Sequence, residues 1–281
     1  MQKIAVFGLD LEDWYHLDYI KNYSYTDINY SMLDGFDNFI KIFEEYKIQS
    51  TLFVVGEISK NIHRKLSNLS NHGYEIASHS ETHQRPLSIS KKQFINEIEI
   101  SKKKLEDIVQ KKIIGFRAPC FSLNREYLNI LIEKNYKYDS SKIEFDNHPL
   151  YGNIDLQGFK KVYENIYTHN NFVEFGIPVY KSLFFKFPFS GGGYLRLLPK
   201  IYIKNILSKI NKSPQPLFFY IHPFELSEKK LTGVNLNFKN KFRFEIGRKS
   251  LNSKIKYIIE LLKENNWEIT TFDKLYEGII K

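Results

Sequence analysis

Cysteine is nearly absent from this sequence. The chain holds one, Cys120, which excludes an intrachain disulfide and any zinc site built from cysteines. Only Arg117 near it is basic and no nucleophile signature surrounds it, so Cys120 reads as a small buried residue. The opening Met1-Gln-Lys-Ile-Ala-Val-Phe-Gly-Leu-Asp10 lacks the apolar stretch of a signal peptide. No run approaches the ~18 apolar residues of a membrane span. Cytoplasm is therefore the expected location. Internal repeats and low-complexity linkers are missing too. Acidic residues are in deficit, 32 against 41 Lys and Arg, for a net charge of +9. Such an excess suits a nucleic acid, an anionic membrane surface or an anionic substrate. The basic residues are interspersed with acids, as in KKKLEDIVQKK, rather than gathered into an arm. No nucleic-acid partner is expected on that ground, and peripheral membrane-surface contact stays open. Oligomeric state is unreadable.

What is present is a globular composition, 42% hydrophobic and 16% aromatic, over 281 residues. That length supports a sizeable core. Ile4 to Leu9 is a short apolar run ending at Asp10, the pattern of a buried strand. Phe36, Phe39, Ile40 and Phe43 fall at i, i+3, i+4 and i+7, which predicts an amphipathic helix over 32–46. A β-branched strand over Thr51–Val55 follows, then a helix from Ile58 to Asn71 stopped by Gly73, and a short strand over Glu75–Ser78. Ser90-Lys-Lys-Gln93 is a capping box that opens a helix reaching about Gln110. A strand at Ile113–Phe116 and a helix near Arg125–Asn135 complete a repeated strand–helix alternation. This alternation argues for a parallel α/β sheet or barrel with helices outside. From about 145 to 215 the pattern loosens, and the stretch reads as an insertion of loops and short strands within a single domain over 1–281. Order returns at Leu217–Ile221, in an amphipathic helix near 251–265, and at Trp267–Thr271.

Four motifs follow expected strands, and in parallel α/β folds such strand ends gather on one face where active sites form. Asp10-Leu11-Glu12-Asp13-Trp14-Tyr15-His16 sets three carboxylates within four residues, which repel one another unless a cation or arginine sits among them. His79-Ser-Glu-Thr-His83 places two histidines at i and i+4, on one side of a helical turn and near enough to share a divalent metal. Arg117-Ala-Pro119-Cys120-Phe121 offers a guanidinium that can bind a carboxylate in bidentate fashion. Phe219-Tyr-Ile-His222-Pro-Phe-Glu225 delivers a histidine suited to acid–base work. Each motif alone also fits a structural role: a polar loop, a chance pair, a surface arginine, a core histidine.

In this order the motifs resemble the polysaccharide deacetylases, carbohydrate esterase family 4. The version here runs DLEDWYH, STLFVVGE, IASHSETH, GFRAPCFSL, YDSS, FSGGGYLRLLP and YIHPFEL, and it looks most like a bacterial subgroup with a D-x-E-D-W/Y-F first motif. The resemblance implies an α/β fold, a distorted (β/α) barrel of seven strands. It implies metal-dependent hydrolysis of the N-acetyl group of an amino sugar in a polysaccharide or glycan precursor, and the missing signal peptide points to a lipid- or nucleotide-linked precursor of a surface glycan. By residue, it assigns the catalytic base to Asp10, the metal histidines to His79 and His83, the arginine that positions the base to Arg117 and the general acid to His222. Asp139 supports the second half of the site. The segment containing Gly192, Tyr194 and Arg196 contacts substrate in this reading, together with Trp14 and Phe121. The cofactor implied is one divalent ion, zinc first, with cobalt, nickel or manganese compatible. Relatives have two adjacent aspartates in the first motif where this chain has an extra residue, so the metal carboxylate is Glu12 or Asp13. Strand alternation favours Glu12, while a strand ending at Asp10 makes Asp13 equal to it. Two other functions fit the same fold: a metal-free amidohydrolase of a non-sugar amide, and an inactive glycan-binding module.

Overall fold

The computed structural model describes residues 3–26, 30–145, 148–181 and 186–281. Twelve strands form among the described residues. They are β1 Ile4–Leu11, β2 Thr51–Val54, β3 Glu75–Ser78, β4 Gly115–Phe116, β5 Tyr138–Asp139, β6 Lys160–Tyr163, β7 Ile166–His169, β8 Phe172–Phe175, β9 Tyr180–Lys181, β10 Lys186–Phe187, β11 Leu217–Ile221 and β12 Glu268–Thr270. Seven of them run parallel and side by side in the order β11-β1-β2-β3-β4-β5-β8, the expected barrel count. The antiparallel pair β7-β6 extends this sheet beyond β8, and β12 pairs with the first half of β1.

Alternation along the strands separates two packing layers. Odd positions of β1 (Ala5, Phe7, Leu9, Leu11) and of β11 (Leu217, Phe219, Ile221) pack outward against the helices. The helix over Asp34–Glu45 presents Phe36, Phe39, Ile40 and Phe43 to that layer, as its spacing predicts. Even positions point into the curl of the sheet. There Val6, Phe53, Ala77, Tyr138, Phe175, Phe218 and Phe272 make an aromatic-rich interior. Phe272 touches Phe53, Tyr138, Phe175 and Phe218, with ring centroids 5.0–5.7 Å apart, and so fills the end of the barrel where the strands begin. At the other end stand Asp10, near the end of β1, and, just past their strands, His79, Arg117 and His222.

Two elements differ from expectation. The helix expected over Ile58–Asn71 is split into Gly56–Ser59, a 3-10 turn at Lys60–Ile62 and His63–Asn71, because Ile62 leaves helical geometry at φ −123°, ψ 15°. The stretch 145–215, read as loops and short strands, also supplies β8 to the parallel sheet and a helix over Lys200–Lys212. That helix is held by Ile203, Ile206, Leu207 and Ile210, an i, i+3, i+4, i+7 stripe that the surrounding glycines and prolines masked.

Candidate active site

The first motif does not end at Asp10. β1 continues to Leu11, which pairs with Val54, so alternation turns Asp10 and Glu12 to the same side. Asp13 then leaves the strand and caps the 3-10 turn Trp14–His16. Its Oδ1 accepts the N–H of Trp14 at 2.8 Å and of Met32 at 2.9 Å. Of the two carboxylates left open by the sequence, Glu12 faces the cleft and Asp13 is turned into the backbone.

The histidine pair is brought together by a bent loop, not by the helical turn that its spacing suggested. His83 sits at φ 56°, and the buried Glu97 carboxylate holds the loop. Its oxygens accept from Ser80 Oγ, the N–H groups of Glu81 and Thr82, and Thr82 Oγ1, at 2.8–3.1 Å. The two rings lie 5.0 Å apart. His79 Nδ1 donates to the Arg117 carbonyl at 2.7 Å, leaving Nε2 to face the cleft. Burial lowers the His79 pKa to about 4, so its ring is neutral near pH 7. Ligand atoms of Glu12, His79 and His83 all lie within 4.8 Å of one another.

Glu12 is buried, which alone would raise its pKa. His83, His222 and His79 outweigh that and hold it at about 2. Its Oε2 stands 2.6 Å from His83 Nε2, with no other hydrogen-bond partner. A buried, ionised carboxylate beside two imidazole nitrogens is a donor set that fits a divalent cation.

Arg117 is fully buried and lies over the Phe53 ring at 4.0 Å. It donates to Asp10 Oδ1 at 2.6 Å, to the Ser140 carbonyl at 3.1 Å and to Ser140 Oγ at 3.0 Å. Gly8, one pleat before Asp10, makes room for this guanidinium, because a Cβ there would stand 2.7 Å from Nη1. Asp10 Oδ2 is 3.9 Å from His222 Nε2, and Glu12 Oε1 is 3.8 Å from the same nitrogen. The His222 Nδ1 meets Glu225 Oε2 at 3.0 Å, and Glu225 Oε1 is 2.8 Å from Arg196 Nε. Burial would lower the His222 pKa, but Glu225, then Glu12 and Asp10, raise it to about 9.

Two expected site residues, Asp139 and Trp14, stand behind the cleft, while Arg196 lines it and also braces its wall. Arg196 uses its remaining N–H groups on the carbonyls of Arg243, Phe244 and Ile246, so it orients Glu225 and the 243–246 segment. Asp139 accepts from Ser141 N–H and Oγ and is paired with Glu174. Burial and Glu174 push its pKa well above the ordinary range, and it lies outside the cleft lining. Trp14 is buried among Tyr15, Tyr25 and Tyr30, with Nε1 donating to the Tyr30 carbonyl, and it too misses the cleft. Phe121, Gly192 and Tyr194 do line it. Cys120 also reaches the cleft and is only half-buried, against the sequence reading. Burial pushes its thiol up to about 12, which leaves it unreactive at neutral pH.

Four contributors were given no role in the sequence reading. Glu225 was visible as the third residue after His222, behind a proline that opens the helical turn Pro223–Leu226. His16 accepts the Asp13 N–H on Nδ1, and its Nε2 meets Glu57 at 2.5 Å. His148 and Tyr151, stacked with ring centroids 3.8 Å apart, form an aromatic wall with no sequence signal at all. The whole cleft encloses about 540 Å³, enough for one or two sugar rings.

Comparisons with known proteins bear on the family and the fold. Residues 25–138 match the polysaccharide deacetylase family model, and residues 140–276 match a domain of unknown function, DUF3473. A peptidoglycan deacetylase of Helicobacter pylori is 24% identical over 117 residues, 42% of this chain and 40% of that protein, so the chain spans well under two thirds of its relative. Among solved structures, a Mycobacterium smegmatis protein assigned to the polysaccharide deacetylases matches at TM-score 0.63 and 16% identity, covering 99% of this chain and 90% of that one. A carbohydrate esterase family 4 pseudoenzyme of Bacillus anthracis matches at TM-score 0.52 and 12% identity, covering 98% of this chain and 66% of that one. A Bacillus subtilis peptidoglycan deacetylase matches at TM-score 0.50 and 13% identity, over 98% and 91%. At these identities the solved structures establish the curled α/β fold alone. Over residues 25–138, then, the chain is similar to the polysaccharide deacetylases; β1 precedes that match, and β8, β11 and β12 lie in the region matching DUF3473.

Proposed function

We propose that the protein hydrolyses the N-acetyl group of an amino sugar in a polysaccharide or glycan precursor, within the subgroup marked by its D-x-E-D-W first motif. One observation carries this reading: Asp10, Glu12, His79, His83 and His222 line one cleft, with Arg117 and Glu225 each tied to one of them. Glu12, His79 and His83 would hold one divalent ion. Two imidazoles and a carboxylate suit zinc first, with cobalt, nickel or manganese compatible. Such an ion, when bound, supplies Lewis acidity toward a carbonyl oxygen and lowers the pKa of a water.

The chain's own residues do the proton work. Arg117 fixes Asp10 through Oδ1 and leaves Oδ2 toward the cleft, placed to take the proton of the attacking water. As the new C–O bond forms and the amide C–N bond breaks, the leaving nitrogen needs a proton. His222 carries one at neutral pH and presents it on Nε2, because Nδ1 is engaged by Glu225. The products are acetate and a free amino sugar. The aromatic wall of Tyr151 and Tyr194 offers ring faces for the sugar. A cytoplasmic-side, phosphate-bearing precursor of a surface glycan is the substrate that fits the net charge of +9.

A second reading, an inactive glycan-binding module, is favoured by one observation: the fold neighbours include a family 4 pseudoenzyme. Metal content separates the two. The wild-type chain should bind about one divalent ion, and the His79→Ala/His83→Ala variant none. Acetate release from acetylated amino sugars should follow the metal. A wild type that takes up neither zinc nor cobalt would return the chain to the metal-free hydrolase or the binding module.

A further inference from the structure

The five most exposed large apolar side chains among the described residues lie in two short segments: Leu197, Ile201 and Tyr202 at 55–60% exposure, and Phe238 and Phe242 at 86% and 55%. The other large apolar residues that reach the surface are at 45% or below and scattered. The two segments are neighbours. Arg196 binds the carbonyls of Arg243, Phe244 and Ile246, and Leu197 and Phe242 both line the cleft mouth. On the helix Phe238–Glu245, Phe238 and Phe242 are one turn apart on the outer face while Phe244 is buried on the inner one. On the helix Lys200–Lys212, Ile203 and Ile206 are buried while Ile201 and Tyr202 are not.

The charge around these side chains has one sign. Lys200, Lys204, Lys239, Lys241 and Arg243 are exposed, and none takes part in the ion pairs found among the described residues. Within 197–204 and 238–245 the only acid is Glu245, which is paired with Arg248. Outward aromatic and aliphatic side chains interleaved with lysines form the surface that lies in a headgroup region, apolar groups below and cations at the phosphates. No helix among the described residues is long and apolar enough to cross a membrane, so any such contact is peripheral.

We propose that this rim docks the protein on an anionic phospholipid surface, with the cleft mouth turned toward the bilayer. Docking stands apart from the chemistry. Its corollary, that the acetylated sugar is presented at the membrane on a lipid anchor, rests on the deacetylase reading above. Five cations and five apolar groups on one rim suffice for reversible adhesion.

The test is sedimentation of the full chain with vesicles of phosphatidylcholine alone or with 40% phosphatidylglycerol. The expected result is binding to the anionic vesicles only, weakened by 0.5 M salt. Ile201→Ser/Tyr202→Ser/Phe238→Ser and Lys204→Glu/Lys241→Glu should each weaken it at least tenfold with unchanged circular dichroism. Equal binding by wild type and both variants would overturn the assignment to this rim, as would no binding by wild type to anionic vesicles. Dimerisation abolished by the same substitutions, without vesicle binding, would give the rim to a second copy of the chain. The His79→Ala/His83→Ala variant should bind vesicles like wild type. Vesicle binding by a wild type that releases no acetate sinks the deacetylase reading and leaves the rim.

Discussion

Glu225 is two bonds of influence away from the substrate, and its removal tests the acid assignment more sharply than removal of His222. Glu225→Gln keeps the shape and one acceptor oxygen but removes the charge that lifts the His222 pKa to about 9. A charge-assisted hydrogen bond of this kind is worth about 1.5–3 kcal/mol, or roughly 1–2 pKa units at 1.36 kcal/mol each. Taking the pKa down to about 7–8, the protonated fraction at pH 8 falls from roughly 0.9 to 0.1–0.5, while at pH 6 it stays above roughly 0.9. The variant should therefore lose about 2–10-fold in kcat at pH 8 and almost nothing at pH 6. The assay is acetate release from metal-loaded enzyme across pH 5.5–9.5. A loss of equal size at every pH would refute the reasoning, since it would show Glu225 acting as a cap on the turn and not on the proton of His222.

Three further outcomes follow from groups behind the cleft. Asp13→Ala removes the acceptor of two backbone N–H groups and should cost about 1–2 kcal/mol of stability by chemical denaturation, with metal content unchanged. Lost metal instead would restore Asp13 as a ligand. Asp139, held protonated by burial and Glu174, should tolerate Asp139→Asn with a loss below about 1 kcal/mol in the barrier, roughly fivefold in kcat. A loss of several hundredfold would place it in the chemistry. At the barrel floor, burial and Asp273 raise the Glu75 pKa from 4.5 to about 8. Between those values the folded chain holds a proton that the unfolded chain has released. This stabilisation is complete below about pH 4.5 and is lost as pH rises through 8, with a slope of up to about 1.4 kcal/mol per unit. Glu75→Gln should flatten that slope in denaturation curves taken from pH 5 to 8.5, and an unchanged slope would show that Glu75 titrates normally.

Much of this was legible in the residues because parallel strands are short apolar runs and their ends collect on one face. Asp10, His79, Arg117 and His222 each followed such a run, and the structure brings them together. The choice between Glu12 and Asp13 was not legible, because it depended on whether β1 stopped at Asp10. Pairing of Leu11 with Val54, a tertiary contact, extends the strand and decides it. Asp139 and Trp14 lie off the cleft for another reason. Sequence order says that a polar or aromatic side chain lies near a strand end, but not whether it faces the cleft or braces what does. The converse error hid Glu225, whose capping geometry looked like local helix punctuation and whose second oxygen meets Arg196 from 29 residues upstream.

The position of β1 has a consequence for how the molecule comes into being. This strand has three partners, and two of them, β11 and β12, lie more than 200 residues downstream. At about 5–20 residues per second of synthesis, β1 waits roughly 10–40 s for β11 and longer for β12. Throughout that time its apolar edge has no sheet to join on that side, a template for wrong pairings. His222 and the aromatic floor under Phe272 arrive only with these late strands. A nascent chain stalled after the first five strands would thus hold both histidines and the acid cluster without the wall that closes them, and it would depend on chaperones to remain soluble.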